Sequence, residues 1–181
     1  MNHLEKAKAW YDAQLSRLKH IQELSEEHDQ ETHLRALLGD LLRVKKSERK
    51  VRLKEEREDL YRVALMRLFA GFEADFKDGF FEYIAKRSGM SDKQVAETLP
   101  DAISTWLVMY RVLEPQSFSE SLLGQINRIR DERNRLAHGG FHQALAHTSP
   151  VDAYGALRQP LETLAAKVRG QAHLMTRPGA G

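Results

Sequence analysis

Over residues 4–54 the chain has no proline and a single glycine, Gly39, and the whole sequence of 181 residues carries only 11 glycines and 5 prolines. Tight turns and helix ends draw on these two residues, so a chain this poor in them favours long helices over a turn-rich β fold. Apolar residues recur at three- and four-residue spacings: Leu4, Ala7, Tyr11, Leu15 and Leu18, then Leu34, Leu37, Leu38, Leu41 and Leu42. That is the period of a helix with a narrow apolar seam. The polar stretch 25–32 breaks the seam, so two helices or one long interrupted helix are expected, able to pair with a partner helix as a coiled coil does.

A basic run follows, Arg43, Lys45, Lys46, Arg49, Lys50, Arg52 and Lys54, and directly after it an acidic one, Glu55, Glu56, Glu58 and Asp59. Such blocks suit a solvated helix laced with intrahelical ion pairs. The same cations also suit a stripe that contacts phosphates.

Residues 60–85 differ in character. Leu65, Phe69, Phe72, Phe76, Phe80 and Tyr83 fall on one helical face, and Val63, Ala70, Ala74 and Phe81 lie roughly opposite. A helix apolar on two sides belongs at the centre of a bundle, and Glu73 sits in the middle of this one. The phenylalanine row reads as core rather than as a stacking platform, as do Trp106 and Tyr110. Arg87-Ser88-Gly89-Met90 reads as the stop, and Ser91 or Asp92 as the cap of a short next helix. Residues 103–113 are again helical and apolar. Ser119 or Ser121 can cap a helix that runs to His138, where Gly139-Gly140 stops it. A loop is expected over 141–150, a final helix over 152–168 interrupted near Pro160, and a disordered tail over 171–181. The expectation is all-α: an up-and-down bundle of four or five helices over 57–170, carrying a helical N-terminal arm over 1–56.

The net charge of +2 is too small to mark a nucleic-acid binder, so any such role must come from local patches. The absence of cysteine removes disulfides, Cys-ligated zinc, thiol nucleophiles and iron–sulfur clusters from the available chemistry. The N-terminal Met-Asn-His-Leu-Glu-Lys-Ala-Lys has no apolar core for a signal peptide, and no run approaches a membrane span. A cytoplasmic protein without a membrane partner is the simplest expectation.

Laid out at about 100° per residue, residues 122–138 place Leu122, Ile126, Ile129, Leu136 and Ala137 on one face with Arg133 in its middle. Burying an unpaired guanidinium is costly, so Arg133 needs a carboxylate such as Glu73, a dimer cleft or a bound anion. Asn134 and His138, four residues apart, share one flank of the helix, and Arg130 precedes them by one more turn. Taken alone, His138 suits the negative end of a helix dipole. His142 and His147 follow, but the Gly-Gly break and the lack of a nearby carboxylate in that loop argue against a metal site. Tyr154 and Arg158 share a helical face and would line a cleft.

The run Arg133-Asn134-Arg135-Leu136-Ala137-His138-Gly139 resembles the Arg-Asn-x-x-x-His signature of HEPN-domain proteins, the helical ribonucleases of toxin–antitoxin and antiphage systems. Arg130-Asp131-Glu132 resembles the polar lead-in common in that superfamily, and Leu68-Phe69-Ala70-Gly71-Phe72-Glu73 its upstream hydrophobic helix with an acidic residue. The resemblance covers residues 60–168 and leaves the N-terminal arm outside it. It implies metal-independent RNA cleavage, without a cofactor, at a site formed where two such motifs meet across a homodimer, leaving a 2′,3′-cyclic phosphate. It also implies a toxin or antiphage defence effector, with RNA and an antitoxin or other defence-system protein as partners.

That chemistry is physically sensible. RNA carries its own nucleophile, the 2′-hydroxyl, and imidazole is the natural group to move a proton near neutrality. The resemblance makes His138 the general acid or base, Arg133 the guanidinium that stabilises charge on the phosphorane, and Asn134 the group that orients phosphate or imidazole. Two-fold symmetry would supply a second His138, so that one acts as base and the other as acid. Glu73 would hold Arg133 or His138, with Arg130 in support. Some members of the superfamily carry a tyrosine two residues after the histidine, which a paired nucleotidyltransferase antitoxin modifies; here that position is Gly140, so that control is not expected. Two other readings fit the same residues: a non-catalytic helical module that binds RNA or a partner protein, and a structural dimer with Arg133 and His138 on its seam. Solvent access to His138 separates them.

Overall fold

A computed structural model describes residues 2–27, 45–98, 118–138 and 148–175. Their regular structure is entirely helical: α1 (His3–Glu27), α2 (Lys46–Ser88), α3 (Asp92–Thr98), α4 (Glu120–Ala137) and α5 (Pro150–Met175). The all-α bundle expected from the sequence is therefore what the described residues form. The seam at 34–42, the helix expected over 103–113 with Trp106 and Tyr110, the Gly139-Gly140 stop, His142, His147 and residues 176–181 lie outside the described residues.

The 43 residues of α2 extend about 65 Å at a rise of 1.5 Å per residue, and each of the other four helices packs against it. Its ends follow local rules. Gly89 adopts the left-handed conformation at φ 72°, which terminates the helix without the strain a Cβ would bring. Ser91 and Gln94 then form a reciprocal capping box: the Gln94 N–H donates to Ser91 Oγ at 3.3 Å, and the Ser91 N–H donates to Gln94 Oε1 at 2.9 Å. Ser119 caps α4, its Oγ accepting the Leu122 N–H at 3.2 Å.

One buried arc of α2 is the expected row, Leu65, Phe69, Phe72, Phe76, Phe80 and Tyr83. Successive rings of this row stack at tilted angles, with Phe69 and Phe72 centroids 5.7 Å apart and Phe72 and Phe76 5.5 Å apart. The second apolar face differs from the expectation. Val63 and Ala70 are exposed, whereas Leu60, Ala64, Leu68, Gly71 and Asp75 are buried. At about 100° per residue these five adjoin the phenylalanine arc, so α2 buries one continuous broad face rather than two opposite ones.

That second arc receives α1, which runs antiparallel along it. Leu4 and Ala7 enter the main core with the phenylalanines, and Tyr11 meets Tyr61 edge to face at 6.1 Å. Burial, with Tyr61 alongside, pushes the Tyr11 phenol up to about 12. The boundary expected near residue 56 falls inside the unbroken α2, and the first helix is a layer of the bundle rather than an arm apart from it. The narrow seam on α1 lies against α2.

Asp75 anchors the start of α1. Its carboxylate accepts the backbone N–H groups of Asn2 at 3.0 Å, His3 at 3.1 Å and Leu4 at 2.9 Å, so a residue of α2 caps the amino end of another helix. Burial pushes this carboxyl up, but the three N–H donors outweigh it and hold Asp75 below its ordinary range. A folded-state pKa below the unfolded one gives stability that is complete above the unfolded value and is lost as pH falls through the folded one. Asp75→Asn is expected to cost about 1–3 kcal/mol at neutral pH. It should also flatten the decline in stability below about pH 5, read by urea denaturation at several pH values.

Gly71 allows the close approach, since a Cβ there would sit 2.8 Å from the His3 carbonyl oxygen. Gly71→Ala should therefore displace α1 and cost about 1–3 kcal/mol despite alanine's better helix propensity. A stabilised variant would show that the two backbones part freely.

On the other side of α2, α5 contributes Ala153, Ala156, Leu157, Leu161, Leu164 and Val168. The interruption expected near Pro160 does not occur, and α5 continues through it to Met175. Proline there removes the donor to the Ala156 carbonyl, but the buried row on both sides of it holds the helix together. The helix also starts at Pro150 rather than Asp152, with proline in its first turn and Ser149 Oγ accepting the Asp152 N–H at 3.1 Å.

Candidate functional site

The expected site residues lie on α4 and on the facing stretch of α2. Leu122, Ile126, Ile129 and Leu136 are buried as their spacing requires. Two members of the expected face move. Ala137 is exposed, and Arg133 sits at the rim of the buried stripe rather than in its middle, its side chain 34% exposed. The polar residue fully inside the stripe is Glu132, only 4% exposed. Sequence reasoning had placed Glu132 in a polar lead-in. The signal for its burial was present: it lies three residues after Ile129 and four before Leu136.

The carboxylate expected for Arg133 is Glu73. The guanidinium Nη2 lies 3.5 Å from Glu73 Oε2, and Nη1 donates to Asn134 Oδ1 at 2.8 Å. The guanidinium also stands 5.7 Å from the Phe69 ring centroid, within reach of the negative face of the ring. Burial pushes the Glu73 carboxyl above its ordinary value, and the charges of Arg133 and then Arg130 act against that shift. Arg130 itself pairs with Asp131 at 2.9 Å and remains partly open to solvent. Glu73, Arg133 and Asn134 thus form one cluster around a partly buried carboxylate, and the charge of Arg130 also acts on Glu73.

His138, the fifth expected site residue, caps the end of α4. Its backbone N–H donates to the Asn134 carbonyl at 3.1 Å, so it follows Asn134 by one turn, and its side chain is exposed. The imidazole is therefore open to solvent at the end of the same helix that carries the cluster.

Tyr154 and Arg158 do share a face, and both are used within the fold. The Tyr154 hydroxyl lies 2.8 and 2.9 Å from the two carboxylate oxygens of Glu5 and donates to them, tying α5 to α1. Burial and the Glu5 carboxylate push this phenol above its ordinary value. Arg158 pairs with Glu162 at 2.8 Å along its own helix.

Chemically, the cluster can bind an oxyanion. A guanidinium has five N–H donors in a planar fork; Arg133 directs some of them to Asn134 and Glu73 and is exposed enough to present others. Among the described residues no group of histidines and carboxylates has the arrangement of a metal site, and no helix is long and apolar enough to cross a membrane. No known protein family, curated protein or solved structure matches the chain.

Proposed function

We propose that this chain is a metal-independent endoribonuclease of the HEPN type, acting as a toxin or antiphage defence effector. In it Arg133 and Asn134 hold the scissile phosphate, and His138 transfers protons between the 2′-hydroxyl and the leaving oxygen. The observation that carries the reading is the position of Arg133. It is about one-third exposed and held by Asn134 and Glu73, and Asn134 in turn lies one helical turn before the exposed His138. A guanidinium fixed by its neighbours loses little freedom when it binds phosphate, which favours the transition state over a flexible cation. Asn134 acts through its amide, whose oxygen is already occupied by Arg133, leaving the NH2 to donate. Glu73 positions Arg133.

The reaction belongs to a homodimer in this reading. The 2′-oxygen attacks phosphorus, the bond to the 5′-oxygen breaks, one imidazole removes the 2′ proton and a second returns a proton to the leaving oxygen. The two-fold axis supplies the second His138.

A purified preparation incubated with RNA in EDTA tests this. Cleavage that persists under chelation and leaves 2′,3′-cyclic phosphate ends is the expected result. A chain that cuts no RNA, or that cuts only when a divalent metal is supplied, would sink the reading. The Arg133–Glu73 contact favours one alternative, a non-catalytic helical module in which this pair braces α4 against α2. That alternative gains if the chain binds RNA or a protein without cutting.

A further inference from the structure

The face of α2 that receives α1 changes chemistry where α1 ends. Over Leu60, Ala64, Leu68 and Gly71 it is apolar or small and covered; toward the start of the helix the same face carries Lys46, Lys50, Lys54 and Arg57. These four, with Arg49 and Leu53 at the base and Gln22 of α1 on the far wall, line a groove of about 240 Å³. Arg49 is only 8% exposed, so its charge is held inside the protein surface. Arg57 is oriented by Gln22, its Nη2 donating to Gln22 Oε1 at 3.2 Å.

Apart from Arg52, which lies among the acidic residues, the charges here are sorted by face. At about 100° per residue, the five cations span an arc of about 140°. Glu48, Glu55, Glu56, Glu58 and Asp59 fall on the remaining arc, and none of them lines the groove. On the helix surface Lys54 stands 4.0 Å from Glu58. A helix that served only as a solvated spacer would interleave its charges, because like charges four residues apart repel while opposite ones attract. Lys46, Lys50 and Lys54 are such a like-charge row, and an anion between them relieves the repulsion.

We infer that this groove binds the phosphate backbone of RNA as a second contact, separate from the Arg133 cluster. The inference rests on the nuclease reading for the identity of the polyanion. Leu53 and Glu73 are separated by 20 residues of one helix, about 30 Å along its axis, and by about 200° around it. The groove therefore does not join the cluster directly; it holds a remote part of the same strand. Among the described residues no aromatic side chain lines the groove and the three exposed cations are lysines, so the contact reads charge and not sequence.

The test uses full-length protein carrying His138→Ala, so that RNA stays intact, and a fluorescein-labelled oligouridine long enough to span both sites. Affinity is read by anisotropy over a salt series. Combining Lys46→Gln, Lys50→Gln and Lys54→Gln, all exposed positions with glutamine a good helix former, should leave helicity unchanged. Loss of three phosphate contacts should weaken binding roughly 100-fold at about 0.1 M salt and reduce the log–log salt slope by about 2. A control combining Lys86→Gln, Lys93→Gln and Arg169→Gln removes the same charge elsewhere and should change affinity little. Equal losses in the two triples, or unchanged affinity in the groove triple, overturn the inference. So does a groove that takes inorganic tripolyphosphate while RNA affinity is indifferent to the three lysines. Failure of the two claims is distinguishable. Cleavage that depends on His138 with normal binding by the groove triple removes the groove alone, and groove-dependent binding without any cleavage removes the nuclease alone.

Discussion

Replacing His138 with alanine is expected to lower RNA cleavage by about two to four orders of magnitude, the range in which a positioned general acid or base contributes. The side chain is exposed at the end of α4, while the neighbouring Leu136 is buried at 1% and untouched by the change. Stability should therefore stay within about 0.5 kcal/mol of the parent, and lost activity would report chemistry rather than unfolding. Arg133→Ala should reduce cleavage comparably, but it also strips Glu73 of its nearest cation, so its stability must be measured alongside. Arg133→Lys separates the two effects: it retains a charge for Glu73 but not the planar fork for phosphate. A lysine variant that folds like the parent and still fails to cut supports a phosphate-binding Arg133. If the His138 variant cuts as fast as the parent, the proposed chemistry is wrong.

The largest effect on stability is expected from Phe72→Ala. Phe72 is completely buried, with the Phe69 and Phe76 rings on either side along the face of α2 that meets the rest of the core. Truncating a buried phenylalanine costs about 3–5 kcal/mol, because the lost transfer energy is joined by a cavity that rigid neighbours fill only in part. Against a total of about 5–15 kcal/mol for a typical domain, that is a large fraction. Urea denaturation followed by circular dichroism should show a much lower midpoint with an unchanged slope. A loss below about 1 kcal/mol would mean that the helices slide to close the gap, contradicting the close packing at this point. At low temperature, where enough protein remains folded, cleavage should persist, since Phe72 does not belong to the Arg133 cluster.

The helices were legible where local chemistry decides them. Gly89, Ser91 and Ser119 mark helix ends through conformational freedom or a short side chain that caps its own helix, and each acts within a few residues of itself, whereas the Ser149 cap and the helix start at Pro150 were read as loop. The phenylalanine row was legible because its three- and four-residue spacing has one interpretation on a helix. What sequence left open was which neighbour each face meets. Ala64, Gly71 and Asp75 do not look like a core face, yet they are buried because α1 needs a close approach and a carboxylate for its first N–H groups. The continuity of α5 through Pro160 is the same kind of case, a local preference overruled by a row of buried contacts.

The candidate site shows the same division. Spacing puts Arg130, Asn134 and His138 on successive turns at one end of α4, and Glu73 was one of the partners open to Arg133; the structure pairs the two at 3.5 Å. The degree of burial was not legible. Arg133 and Glu132 are adjacent in sequence, and only the angle at which α4 meets its neighbours decides that Glu132 goes in and Arg133 stays at the rim. The basic run was visible too, but it ended one turn early: Arg57 follows two acidic positions in sequence and rejoins Lys50 and Lys54 only on the helix surface.

The unbroken course of α2 has a mechanical meaning. Between Lys46 and Ser88 it has no proline or loop to act as a joint, so the interval between its first turns and Glu73 is a length set by helix pitch rather than by a slack tether. The molecule is in effect a ruler. A polymer held at both marks is measured by it, and simultaneous engagement peaks at one polymer length instead of spreading over many. Adding four residues ahead of Leu60 would move one mark by about 6 Å and turn it by about 40°, and the preferred length should move with it.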